Sequence, residues 1–211
     1  MLNERILSKI EHLDGRAILE IGAGNGYFAP LLLERFSGQR PARLVITDQS
    51  LSQLAIARTA FRIHDAAYQH LDAQERFPFP DASFDLALAI MVLNELPTGG
   101  LLTALRECRR ILGRGGQLLA AVPHPLLVRE LAKRGVLTDF GRGLCAMPSA
   151  EGLRLPVSRR PLQAYIDALG DTGLAAVAED VYPDEKTLHD KPGLKVSRNT
   201  PLALLLDCRV A

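Results

Sequence analysis

The chain has no tryptophan, and aromatic residues make up only 5% of its 211 positions. It also lacks a basic tract, and its formal net charge is +1. A groove that holds nucleic acid ordinarily leaves a basic face, so this balance argues against a nucleic-acid substrate. Cysteine is scarce: Cys108, Cys145 and Cys208 are scattered and odd in number. Three such thiols suit a reducing compartment better than a disulfide framework, and without a CxxC pair no metal site is expected. The opening "MLNERILSKIEHL" carries a charge every few residues, which fits neither a signal peptide nor a membrane span. A cytoplasmic protein without membrane attachment is the expectation. What the chain does have is ordinary globular material, 47% hydrophobic and 23% charged, enough for one domain over 1–211.

Hydrophobic periodicity divides the chain into alternating elements. Leu2, Ile6, Ile10 and Leu13 recur at helical spacing. "RAILEI", "ARLVIT", "YQHL", "LALAI" and "QLLAAV" read as five strands, the strongest nearly continuous in apolar residues. Between them lie helical stretches around Leu31–Phe36, after Ser50, and over "LLTALRECRRIL". Pro30 suits a first helical turn, and Ser50 followed by Gln53 has capping-box spacing. Apolar strands alternating with amphipathic helices predict an α/β fold, a doubly wound and mostly parallel sheet covered on both faces. After Val122 the pattern loosens, and residues 123–160 read as an insertion or lid with one clear helix, "LLVRELAKRG". The helix "PLQAYIDALGDTG" follows, then strands "LAAVAED" and "PLALLLDCRV". No helix-length pattern separates these last two strands, so an antiparallel final strand completes an expected sheet of seven.

The chemistry concentrates in "ILEIGAGNGYF", Ile18 to Phe28. Glu20 is a carboxylate inside an apolar run, a costly placement without a partner. Gly22, Gly24 and Gly26 then forgo side chains at alternate positions. A strand–glycine loop–helix unit presents backbone N–H groups to an anionic or polar ligand. The dinucleotide fingerprint G-x-G-x-x-G wants a third glycine where Tyr27 stands. Taken alone, the glycines fit a tight strand–helix turn as well as a ligand loop.

The E-x-G-x-G-x-G pattern resembles the first motif of class I S-adenosylmethionine-dependent methyltransferases. Further segments share the resemblance in family order over about residues 15–125: Asp48 ending "LVITDQS", then "LDAQERFPFPDASFDL", "LALAIMVLNELP" and "RRILGRGGQLLAAVPHP". Later in the chain, "RRPLQAYIDALGDTGL" resembles a segment of the small-molecule members, with Leu174 where phenylalanine is usual. The resemblance implies a Rossmann-like methyltransferase fold and S-adenosylmethionine as cofactor, with S-adenosylhomocysteine as product. It implies that Glu20, with Gly22, Ala23 and Gly24, meets the methionine end of the cofactor. Asp48 and Gln49 meet the ribose, Asp72 and Ala73 the adenine, and Ile90 and Met91 the methionine end again.

The expected reaction is methyl transfer to a small-molecule acceptor by direct displacement. Alignment of nucleophile and methyl alone can supply about 7–11 kcal/mol, so a base is useful without being obligatory. His124, following the fifth strand in "VPHP", is the first candidate base, although a lone histidine is often structural. Asn94 and Glu95 are weaker candidates. Tyr165 and Arg160 are candidates for the acceptor, and Arg159 or Arg160 is a candidate to bind an acidic one. The insertion and the Val181–Thr200 loop are expected to wall its chamber with His124, Arg142, Cys145, Tyr182, His189 and Lys191. An Asn/Asp-Pro-Pro-Tyr motif is absent after the fourth strand, where "IMVLNELP" stands instead. Competing expectations are an enzyme acting on RNA or protein, and a non-catalytic cofactor-binding partner. A monomer or homodimer is expected.

Overall fold

The computed structural model describes the chain except residues 62, 64, 142–143, 149–153, 191–196 and 211. Arg142 and Lys191 therefore lie outside the described residues. The elements run α1 (Leu2–Ser8), β1 (Ala17–Glu20), α2 (Phe28–Arg35), β2 (Arg43–Asp48), α3 (Leu51–Phe61), β3 (Ala66–His70), β4 (Phe84–Ile90), α4 (Thr98–Ile111) and β5 (Leu112–Pro123). Then follow α5 (Pro125–Lys133), β6 (Thr138–Gly141), β7 (Leu144–Pro148), β8 (Arg154–Ser158), α6 (Leu162–Asp171), β9 (Leu174–Val181), α7 (Glu185–Asp190) and β10 (Ala203–Val210).

Seven strands form one sheet in the order β3-β2-β1-β4-β5-β10-β9. The first five are parallel, and β10 runs antiparallel to both β5 and β9. The doubly wound sheet with an antiparallel last strand is thus present. Its strands alternate between two cores, because successive side chains point to opposite faces. Ile18, Leu44, Leu86 and Leu88 pack beneath α1 and α2. Leu19, Val45, Ala87 and Leu118 pack on the other face with α4 and α6. Burial on both faces makes the strand sequences almost wholly apolar.

Local chemistry sets several boundaries. The Gln53 amide donates to Ser50 Oγ at 3.3 Å, so serine caps α3 as its spacing predicts. β5 begins directly after α4 at Leu112, so the "GRGG" lying between the expected helix and the expected strand is part of β5. Gly115, at φ +73°, admits the irregularity that shifts the β4–β5 register between Phe84 and Leu86. The first helix ends at Ser8, earlier than its periodicity suggested, although Ile10 and Leu13 remain buried.

The insertion departs most from expectation. Beyond α5 it forms a second sheet, antiparallel in the order β6-β7-β8. Its strands have four or five residues each, too short for period-2 alternation to stand out. A six-residue helix, α7, likewise precedes β10 where no helix was expected. Among the described residues, no helix is long and apolar enough to cross a membrane.

Candidate functional site

Parallel strands point their carboxyl ends the same way, and ligands in such sheets bind outside those ends. Glu20 ends β1, Asp48 ends β2 and Ile90 ends β4. Asp72 and Ala73 lie just past β3, and His124 just past β5. The topology therefore gathers, at one edge of the sheet, residues spread over a hundred positions of sequence.

The glycine loop is held from two sides. The Ala23 amide donates to the Thr47 carbonyl at 2.8 Å, and the Gly24 amide donates to Asp48 Oδ2 at 2.8 Å. The other Asp48 oxygen accepts from the Ser50 amide at 2.8 Å, so this carboxylate joins the loop to the start of α3. Gly22 and Gly24 have φ of +63° and +57°, a region costly for residues with a Cβ. Their surroundings differ. A Cβ on Gly22 would collide with Val92 just beyond β4, whereas one on Gly24 would meet nothing within 4 Å. Packing thus explains Gly22, while Gly24 faces open space beside Asp48.

Glu20 is 3% exposed, and its Oε2 is buried without a hydrogen-bond partner. Burial, reinforced by the charge on Asp48, pushes its carboxyl up to about 8. Half-buried Glu95 is pushed up to about 7 by the same two causes. Asn94 Oδ1 is a second buried acceptor without a partner. Glu20 and Glu95 thus both lie within electrostatic reach of Asp48, Asn94 adjoins Glu95 in sequence, and among the described residues none of the three acids has an ion pair. A ligand bearing positive charge and several hydrogen-bond donors fits this set. A pyrophosphate, which brings more negative charge, does not.

The remaining expected cofactor residues surround the same edge. Asp72 Oδ1 accepts from the Gln74 amide at 2.8 Å and keeps its second oxygen on a partly exposed carboxylate. Ala73 is buried, Gln49 is exposed, and Ile90 is half-buried. Met91 takes φ +60°, rare for a side chain with a Cβ, while its amide donates to the Ala121 carbonyl at 2.7 Å. Such strain is tolerated where neighbours fix it and commonly marks ligand sites.

The acceptor side reads differently. His124 is the N-cap of α5: its Nδ1 accepts from the Leu126 amide at 3.0 Å. The ring proton therefore sits on Nε2, 3.1 Å from Asp180 Oδ1. Both nitrogens are engaged, and the ring caps α5 at a groove wall. Arg160, expected on the acceptor, is 7% exposed and donates to the carbonyls of Leu93 at 3.3 Å and Leu96 at 2.9 Å. Its guanidinium also covers Tyr165, 5.1 Å from the ring centre, and Tyr165 is itself 2% exposed in the core. Together they clamp α6 to the turn after β4. Cys145 is buried, its sulfur accepting from Arg159 Nε at 2.8 Å. Tyr182 is exposed and His189 lies in α7; neither lines the groove described next.

Beside His124, a groove of about 590 Å³ opens between α5 and the start of α6. Leu126, Ala132, Pro161 and Leu162 give it apolar walls, and Arg129, Lys133 and Arg159 bring cations to it. Sequence reasoning missed Asp180, Arg129 and Lys133. Asp180 meets His124 across 56 positions, and the two α5 cations look like an ordinary solvated helix face.

Comparison with known proteins adds independent findings. Residues 18–116 match a family described as a methyltransferase domain. The chain is 28% identical over 160 residues to 27-O-demethylrifamycin SV methyltransferase of Amycolatopsis mediterranei, covering 71% of this chain and 55% of the relative. It is 32% identical over 142 residues to trans-aconitate 2-methyltransferase of Acidovorax sp. strain JS42, covering 64% and 51%. The chain thus spans about half the length of these curated relatives. Its fold is similar to that of an S-adenosylmethionine-dependent methyltransferase from Mesorhizobium loti, with TM-score 0.72, 20% identity, and coverage of 98% and 96%.

Proposed function

We propose that the chain is a class I S-adenosylmethionine-dependent methyltransferase that transfers a methyl group to a small-molecule acceptor, a reading supported by the match of residues 18–116 to a methyltransferase domain. The carrying observation is Glu20, a buried carboxylate with an orphaned oxygen beside Asp48. A cationic ligand relieves both the burial and the mutual repulsion. When bound, S-adenosylmethionine supplies an electrophilic methyl on a sulfonium sulfur. Glu20 offers its free oxygen to the ammonium group, and the loop at Gly22–Gly24 approaches the ligand without side chains in the way. Asp48, already oriented by two amides, presents its remaining lone pairs to the ribose hydroxyls. The free oxygen of Asp72 accepts from the adenine amino group.

The chain's own contribution to transfer is mainly alignment and exclusion of water. Glu95, half-buried and within electrostatic reach of Asp48, has its carboxyl pushed up to about 7 and is the group proposed to take a proton in transfer. The names of the two relatives, a demethylrifamycin and a trans-aconitate methyltransferase, support a small organic acceptor. The absence of a basic tract supports the same reading.

The test uses methyl-labelled S-adenosylmethionine with fractionated metabolites, RNA and protein. Label in the metabolite fraction is the expected result. Label in RNA or protein alone overturns the small-molecule reading. Tight cofactor binding with no labelled product makes the chain a non-catalytic binder.

A further inference from the structure

The cations lining the cavities differ in whether they already have partners. At the opposite edge of the sheet, a cavity of about 240 Å³ gathers Arg16, Arg114 and Arg209. There Arg16 already donates to the carbonyls of His12 at 3.3 Å and Asp85 at 2.8 Å, so its positive charge serves the fold. The groove beside His124 is different. Arg129 is exposed and makes no hydrogen bond or ion pair among the described residues. Lys133 has one partner, Glu130 at 3.0 Å, which does not line the groove. Arg159 anchors through Nε and leaves its outer nitrogens partly exposed, 3.9 Å from Asp139. The acid in the groove, Asp180, is already met by the His124 ring. The remaining charge is positive, set in apolar walls.

The groove also adjoins the cofactor edge. His124 directly follows β5, whose Ala121 carbonyl takes the Met91 amide. Arg159 and Pro161 flank Arg160, which clips onto the Leu93 and Leu96 carbonyls in the turn after β4. The Ser158 amide donates to the Asn94 carbonyl at 2.7 Å, fixing the same junction. Both groove walls are thereby tied to the turn beside the proposed methyl donor.

We propose that this groove selects the acceptor, and that the acceptor is a small molecule carrying an anionic group on an apolar body. The proposal rests on the methyl-transfer reading. Leu126, Arg129 and Lys133 follow one another along α5 at helical spacing, so one helix face offers an apolar contact and then two cations. Arg159 approaches from the insertion side. Arginine holds a carboxylate or phosphate through a fork of parallel N–H donors, which the unpartnered Arg129 can supply whole. A groove of about 590 Å³ lies within the range that encloses a drug-sized molecule. It is too small for a folded partner.

Calorimetry with octanoate, octanamide and octylammonium tests this, with S-adenosylhomocysteine titrated into the same protein. The expected result is octanoate binding about tenfold or more tighter than octanamide, since one charge-assisted hydrogen bond accounts for that ratio. Arg129→Gln should remove most of the difference, and Arg129→Gln with Arg159→Gln the rest, while S-adenosylhomocysteine binding is unchanged. Equal binding of octanoate and octanamide, preference for octylammonium, no binding of any probe, or indifference to both substitutions overturns the proposal. If octanoate binds as expected and S-adenosylhomocysteine does not, the methyl-transfer reading fails and the anion groove stands.

Discussion

The two halves of the sheet use their polar residues in opposite ways. In the β1–β4 half, Glu20 is buried with an oxygen lacking a partner, and Glu20 and Glu95 are pushed well above the usual carboxylate range. In the half beyond β5, the conspicuous polar residues are satisfied: His124 by Leu126 and Asp180, and Arg160 by two carbonyls and a tyrosine ring. Unsatisfied buried charge costs free energy and signals a missing ligand, whereas satisfied buried charge signals architecture. Conspicuousness in sequence does not separate the two cases. Partner counting in three dimensions does.

The largest effect that can break this contrast comes from Gly22→Ala. The positive φ and the collision with Val92 together should cost roughly 2–4 kcal/mol of stability, read as a lowered urea midpoint. Gly24→Ala, with open space around it, should cost only the backbone penalty yet weaken cofactor binding. Equal stability losses at the two positions would show that Gly24 is a packing glycine as well.

Next in size is Asp48→Ala, expected to weaken S-adenosylhomocysteine binding by tenfold or more, about 1.5–3 kcal/mol, in calorimetry. Asp48→Asn keeps an acceptor for one loop amide and should retain more of the fold's stability. Unchanged affinity in Asp48→Ala would reduce this residue to a loop fastener.

His124→Ala should remove the α5 cap and cost about 1 kcal/mol in stability. His124→Asn, which restores a capping oxygen, should recover both stability and turnover. Turnover that stays lost in a stable His124→Asn protein would return His124 to the chemistry.

The smallest effect needs no loss of fold. Glu20 has a pKa of 4.5 when unfolded and about 8 when folded, so the folded chain retains a proton that the unfolded chain releases. Its contribution to stability is therefore full below pH 4.5 and falls as pH rises through 8, in the same sense as Glu95 up to about 7. Glu20→Gln should flatten that decline in urea titrations at pH 6 and 9. Binding of a cationic cofactor at pH 7 should release about one proton, measurable as a dependence of calorimetric heat on buffer ionisation. No proton release would mean that Glu20 is not the ammonium partner.

Much of the proposed cofactor half was legible because its residues sit where strands end, and strand ends can be read locally. Glu20, Asp48 and Ile90 each close an apolar run, and the parallel sheet then brings those ends to one edge. The short strands β6–β8 and the helix α7 were not legible, because four to six residues are too few to establish a period. The groove was not legible either: Arg129 on α5 and Arg159 after β8 look like solvated charges until the chain brings them together.

By itself, the sequence determined the alternation of apolar strands and amphipathic helices, and with it the doubly wound sheet and the order of the acids at its carboxyl edge. These depend on spacing within a few residues, where period and chain geometry leave few options. Only the tertiary structure decided which polar groups are still without a partner. That His124 and Arg160 are already satisfied while Glu20 is not depends on contacts across tens of residues, and desolvation acts on surroundings rather than on residue type.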